Sequence, residues 1–282
     1  MAANSPPEAP PPELGGGDAC QLSPLGLAAF NAAFWPYLVG TSALAFFPMV
    51  GCFALSVFDK ERTILRRFTE EWGAHYLERA PGAGVTVVGR ERAPIGQPAI
   101  YVSNHESMVD ILAIFSARLP ALWVSKVENF YTPVLGWNMY LNGYISLKRG
   151  YLPSIMKMVR NCIKTLDSGR SLIVFPEGTR SEDGNLRPFY RGAFMLAARA
   201  KVPVVPIILD GTRNVLRKRS MTVRPQHVTL KVLDPIDPKV VDYDSHRLRD
   251  LTRSVMADEL AALRGGRTAG ALRPASTAPA AP

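Results

Sequence analysis

Ser103-Asn104-His105-Glu106-Ser107-Met108-Val109-Asp110 follows a short apolar run, 99–102, and opens onto Ile111-Leu112-Ala113-Ile114-Phe115. The pattern predicts a strand that ends near the serine and a helix that begins just beyond it. Polar residues at strand ends are where α/β folds place their chemistry. His105, with the Asp110 carboxylate one helical turn further on, has the parts of a general base and its orienting partner. Ser107 followed by Asp110 is also an S-x-x-D capping signature, and capping is compatible with catalysis because a first-turn carboxylate can face back towards the imidazole. Ser107 lacks the flanking glycines of a nucleophile elbow.

Outward from this stretch, strand-like runs recur at 85–88, 99–102, 122–124, 144–147, 172–175, 202–209 and 228–232. Helical patterns separate them at 108–118, 151–166, 191–200 and 244–263. Alternation of this kind predicts an α/β domain: a mixed, mostly parallel sheet flanked by helices. Three other strand ends carry chemistry. Phe175-Pro176-Glu177-Gly178-Thr179-Arg180-Ser181 follows one buried run, and Gly143-Tyr144-Ile145-Ser146-Leu147-Lys148-Arg149 contains another that ends in basic residues. Lys126 closes the run Leu122-Trp123-Val124. Gly178 permits an unusual turn and close approach to a ligand. Glu177 can accept a hydrogen bond from a hydroxyl, and Arg180 can clamp a phosphate through its planar fork. If Lys126, Arg149 and Arg180 share one sheet edge, they form an anion pocket beside His105. As plain structure, 176–179 is a strand-to-loop turn and Arg180 a solvated charge. The aromatic, uncharged segment 131–144 reads as core or as a surface dipping into a membrane interface.

No Asp, Glu, Lys, Arg or His occurs from Ala19 to Phe58. As one straight helix that run would reach roughly 60 Å, against about 30 Å of bilayer hydrocarbon. It is therefore one spanning helix with flanks or an apolar hairpin broken at Pro36 or Pro48. Lys60, Arg62, Arg66 and Arg67 follow it and no basic residue precedes it, which puts the remaining chain on the cytoplasmic side of a membrane. Residues 61–79 form an amphipathic helix with Ile64, Leu65, Phe68, Trp72 and Tyr76 at helical spacing. The Pro- and Gly-rich ends carry no motif. These shifts divide the chain into a disordered tail (1–18), an anchoring region (19–80), a catalytic domain (81–264) and a second disordered tail (265–282).

The 282 residues carry 33 Lys+Arg against 24 Asp+Glu, a net charge of +9 that favours anionic partners. No zinc-finger or RNP-type pattern accompanies the charge, so nucleic acid is not the expected partner. The cluster Arg213, Arg217, Lys218, Arg219 and Arg224 reads as a membrane-facing or solvated basic patch. Three well-separated cysteines exclude a disulfide framework and offer no metal knuckle.

Taken together, the blocks Asn104-His105-x4-Asp110, Gly143-x-Ile145-x3-Arg149, Phe175–Ser181 and Val205-Pro206-Ile207 resemble the 1-acylglycerol-3-phosphate acyltransferase family of glycerolipid acyltransferases. The likeness covers residues 85–235, in the family's block order. Lys148 departs from the acidic or small residue many members carry there, which bears on the acceptor head group. The resemblance implies that His105 deprotonates a glycerol hydroxyl as it attacks an acyl thioester, with Asp110 holding the imidazole. It implies that Lys126, Arg149 and Arg180 bind the acceptor's phosphate and Glu177 its glycerol, with Gly178 and Thr179 also in the substrate-binding set. The acceptor would be 1-acylglycerol-3-phosphate in a phospholipid membrane, the donor acyl-CoA or acyl carrier protein, with no metal or other cofactor. Other lysolipids, including lyso-ornithine lipid, are the alternative acceptors. A membrane-bound hydrolase would leave the three cations without a role, and a non-catalytic lipid-binding membrane protein is the reading from another class.

Overall fold

The computed structural model describes residues 22–59 and 61–271. The N-terminal tail, Lys60 and positions 272–282 of the C-terminal tail lie outside the described residues. In chain order the regular elements are α1 (Pro24–Ala54), α2 (Thr63–Glu78), β1 (Gly84–Val88), β2 (Ile100–Ser103), α3 (Val109–Ser116), β3 (Ala121–Lys126), α4 (Leu135–Leu141), β4 (Ile145–Leu147), α5 (Leu152–Asp167), β5 (Ser171–Val174), α6 (Gly192–Ala200), β6 (Val204–Asp210), α7 (Thr212–Val215), β7 (His227–Val232) and α8 (Ser245–Ala271). Helix α8 thus continues past 264, where composition had placed the end of the domain.

The strands form one sheet in the order β1-β7-β6-β2-β5-β3-β4. From β6 to β4 the pairings are parallel, while β7 runs antiparallel to β6 and carries β1 parallel to itself. Both faces are covered, which is why β2 and β6 are buried at every position. Tyr101 points into a cluster with Ala74, Phe115 and Trp123, and its neighbours Ile100 and Val102 point into the opposite cluster with Cys162, Phe194 and Met256. The two-residue period of the pleat therefore divides one strand between two helical layers.

The apolar run is a single helix that continues through Pro36 and Pro48. By length and composition it is able to cross a membrane, and little of it is buried. A hairpin is nevertheless present, because α2 folds back along α1. The Thr41 hydroxyl meets the Tyr76 hydroxyl at 2.7 Å near one end, and the Arg62 guanidinium lies 5.0 Å from the Phe53 ring centre at the other. Its second arm is the amphipathic helix rather than another apolar one. Helix α2 buries Leu65, Ala74, Tyr76 and Leu77 and leaves Ile64 exposed. A Cβ at Gly73 would lie 2.3 Å from the Phe115 ring, so this glycine sets how closely α2 lies on α3. Part of the aromatic segment forms α4, whose Trp137 ring packs 5.1 Å from Phe46 of α1 while Tyr140 stays exposed.

Candidate active site

Strands β2, β5, β3 and β4 are neighbours and parallel, so their C-terminal ends share one sheet edge. At about 4.8 Å per strand, β2 and β4 lie roughly 14 Å apart along it. All four chemistry-bearing strand ends are therefore gathered in one place.

At the end of β2 the chain is fixed by Asn104. Its side-chain amide donates to the Leu209 carbonyl at 2.7 Å, and its Oδ1 accepts the Leu209 N–H at 2.8 Å, which ties the turn to β6. The next residue, His105, presents Nδ1 to Asp110 Oδ2 at 2.7 Å. The same Oδ2 accepts the main-chain N–H groups of Glu106 (2.7 Å) and Ser107 (2.9 Å). Asp110 is fully buried, so these donors replace the water that would otherwise solvate Oδ2, while its buried Oδ1 has no hydrogen-bond partner among the described residues. It therefore closes the first turn of α3 and holds the imidazole, and the two expected roles coexist. With Nδ1 engaged, Nε2 is the ring nitrogen left to act on a substrate. Phe175 stacks on the imidazole, with centroids 4.0 Å apart and planes 12° from parallel, and limits its rotation.

Glu177 is placed differently from expectation. Its Oε1 accepts the His105 main-chain N–H at 3.1 Å, and its Oε2 accepts that of Arg187 at 3.3 Å. Only 2% of it is exposed. A carboxylate so enclosed has no face for a glycerol hydroxyl, so Glu177 is a strut between the His105 turn and the loop after β5. Burial pushes its carboxyl up to about 7, against the pull of the two main-chain donors. A second strap joins the same loops, where the Ser181 N–H donates to the His105 carbonyl at 2.7 Å.

Gly178 has φ +69°, and a Cβ there would lie 2.8 Å from the Tyr190 ring and 3.4 Å from an Arg149 guanidinium nitrogen. Arg149 thus reaches from β4 across the sheet edge to the turn after β5. Thr179 is exposed and Arg180 half-buried. Lys126 stands on the same edge but is ion-paired with Glu128 at 3.3 Å and half-exposed.

A sequence model of the acyltransferase family matches residues 84–210, the span that holds every one of these groups. A 1-acyl-sn-glycerol-3-phosphate acyltransferase of Chlamydomonas reinhardtii is 36% identical over 206 residues, 72% of this chain and 60% of that protein. The chain belongs to the 1-acylglycerol-3-phosphate acyltransferase family. The human 1-acyl-sn-glycerol-3-phosphate acyltransferase alpha, 32% identical, aligns over 63% of this chain and 66% of its own length. The chain spans about half to two thirds of the length of the curated relatives it matches. Among solved structures, the 1-acyl-sn-glycerophosphate acyltransferase PlsC of Thermotoga maritima superposes with a TM-score of 0.71 at 27% identity, covering 85% of this chain and 97% of that one.

Family motifs alone do not reveal the support behind the turn. Glu106, 3% exposed, accepts from the Arg264 guanidinium of α8 at 2.9 Å. Arg264 also bonds Asp210 at 3.1 Å, at the end of β6, and the Gly184 carbonyl at 2.9 Å. One side chain from α8 therefore clamps the loops after β2, β5 and β6. The sequence signal was an acidic residue beside His105 with no Lys or Arg nearby in the chain. Burial raises the Glu106 carboxyl to about 7 even with Arg264 opposing.

Proposed function

We propose that this protein transfers a fatty acyl group from an acyl thioester to the free hydroxyl of 1-acylglycerol-3-phosphate, giving phosphatidic acid and a free thiol. The observation that carries this reading is the His105–Asp110 pair, set at 2.7 Å on the sheet edge that also carries Gly178 and Arg149. His105 Nε2 accepts the proton of the glycerol hydroxyl as its oxygen attacks the thioester carbonyl. The resulting imidazolium is stabilised through Nδ1 by Asp110. When the tetrahedral intermediate collapses, the C–S bond breaks and the imidazolium returns its proton to the departing thiolate. Histidine acts as a base throughout, and no acyl-enzyme forms. The reaction so written uses no metal or redox group.

Arg149 and Arg180 are assigned to the acceptor's phosphate, with Lys126 further along the same edge. Gly178 and Thr179 shape the wall beside it. Helix α1 is assigned to the membrane. Its exposed Tyr37, Leu44 and Phe47, with Trp137 and Tyr140 on α4, form an apolar and aromatic surface suited to the leaflet where a lysophospholipid resides. Arg62, Arg66 and Arg67 after it favour the cytoplasmic face.

The test is an acceptor screen in which purified membranes receive labelled acyl-CoA or acyl carrier protein with a panel of lysolipids. Phosphatidic acid from 1-acylglycerol-3-phosphate is the expected product. If no lysolipid is acylated from either donor, the proposal is wrong.

A further inference from the structure

Strand β4 is an edge strand of three residues, and among the described residues β3 is its one neighbour in the sheet. So short a pairing on one side fixes the register weakly. Arg149 lies just past its end. Where that guanidinium sits therefore depends on what anchors the chain before β4.

The anchor comes from the α1–α2 hairpin. The Arg62 guanidinium donates to the Leu141 carbonyl at 2.6 Å, and a Cβ on Gly143 would lie 3.2 Å from the same nitrogen. Gly143 holds φ +73°, so it turns the chain into β4 and leaves room for the guanidinium. Further along α2, Thr69 accepts from the Asn138 amide at 2.8 Å and the Asn142 amide at 3.0 Å. The Asn138 amide also meets Met49 Sδ of α1 at 3.0 Å. Thr69, Asn138 and Asn142 are buried, and a buried polar set fixes geometry because a shifted arrangement leaves its members unpaired. Arg62 itself holds φ +55°, a left-handed conformation that glycine adopts without strain. Asp59 holds it there, its carbonyl accepting the Arg62 N–H at 2.9 Å and its carboxylate the Ile64 N–H at 2.8 Å. An arginine kept where the backbone favours glycine implies a use for its side chain.

We propose that Arg62 is a positioning residue for the acceptor site. By holding Leu141 beside Gly143 it sets the register of β4, and so the place from which Arg149 meets the acceptor's phosphate. This rests on the acyl-transfer reading above. The hairpin is then part of the frame of the phosphate site as well as the element assigned to the membrane. The His105–Asp110 pair is tied elsewhere, to β6 through Asn104 and to the first turn of α3. Loss of Arg62 should therefore weaken acceptor binding and leave the proton-transfer step alone.

The test compares the full-length protein in phospholipid vesicles with Arg62→Gly, Arg62→Lys, Arg149→Ala and the double variant Arg62→Gly/Arg149→Ala. Arg62→Gly removes the guanidinium where the backbone accepts glycine. A misaimed Arg149 loses a charge-assisted contact, so the KM for 1-acylglycerol-3-phosphate should rise about tenfold while kcat at saturating acceptor and the donor KM stay unchanged. Arg62→Lys, which can still reach the Leu141 carbonyl, should recover part of the rise. In the double variant the KM should equal that of Arg149→Ala alone, because Arg62 acts through Arg149. An unchanged acceptor KM in Arg62→Gly overturns the proposal. So do effects that multiply in the double variant, or a fall of kcat and melting temperature together with no change in acceptor KM. Backbone hydrogen exchange over 143–149 gives a second reading that needs no turnover: it should quicken in Arg62→Gly, and unchanged exchange would overturn the clamp. If the unsubstituted protein acylates no lysolipid, the reading beneath the proposal fails, and the exchange result still decides whether Arg62 holds β4.

Discussion

At the residue scale the His105–Asp110 turn is governed by where each carboxylate's oxygens are spent. Asp110 gives one oxygen to three N–H donors, including the imidazole. Glu177 gives its two oxygens to the main chain on either side of the site. Glu177→Gln keeps the shape but turns an amide N–H₂ towards one of those main-chain donors, which should lower stability by about 1–3 kcal/mol. The penalty should depend on pH. The folded-state pKa of Glu177 is raised from 4.5 to about 7, so the native protein holds a proton that the unfolded chain releases between those values. Its contribution is complete below pH 4.5 and is lost as pH rises through 7, on the order of 2–3 kcal/mol. Melting curves at several pH values should therefore show the wild-type advantage over Glu177→Gln shrinking from pH 5 to 8, and a growing advantage would contradict this account. Gly178→Ala meets both the left-handed φ and the Tyr190 ring. Adding Tyr190→Ala should recover the steric part of its lost stability and leave about 1–2 kcal/mol of backbone strain. Of these residues, His105 and Asp110 were legible as a pair because they are five positions apart on one turn. The strut role of Glu177 was not, because its partners come from loops 72 positions before it and 10 after.

At the element scale, all seven strands were legible, since each is a short apolar run bounded by polar turns. Helix α4 was read only as an aromatic segment. Its seven residues show no amphipathic stripe, and it is held by contacts distant in sequence, such as the Asn138 amide on Thr69 at 2.8 Å. The continuity of α1 was also hidden, because two prolines in an apolar run read equally well as breaks. Helix α8 was expected to close the domain, and its Arg264 clamp became visible only in three dimensions. Removing that guanidinium takes the cation from buried Glu106, a loss of about 1–2 kcal/mol, because Arg264 is partly open to solvent and the carboxyl can take up a proton. Arg264→Ala should lower the melting temperature and kcat together, whereas Arg264→Lys should restore part of both. If Arg264→Ala keeps full kcat and stability, α8 does not position the His105 turn.

At the scale of the whole molecule, a sheet edge brings four loops together and an apolar helix lies against the same domain. Leu44 and Phe47 on that helix are 69% and 73% exposed. Replacing both with lysine should release the protein from phospholipid vesicles in flotation, while acylation of a short-chain, water-soluble acceptor continues. Retained flotation would show that α1 is not the membrane contact. The central claim is that His105 is the base for acyl transfer to a glycerol hydroxyl. Its most direct test is acylation of 1-acylglycerol-3-phosphate by purified His105→Ala protein that has kept the wild-type melting temperature. Loss of the base should reduce kcat by about 10²–10⁴-fold with little change in acceptor KM, and a rate equal to that of the wild type would contradict the account.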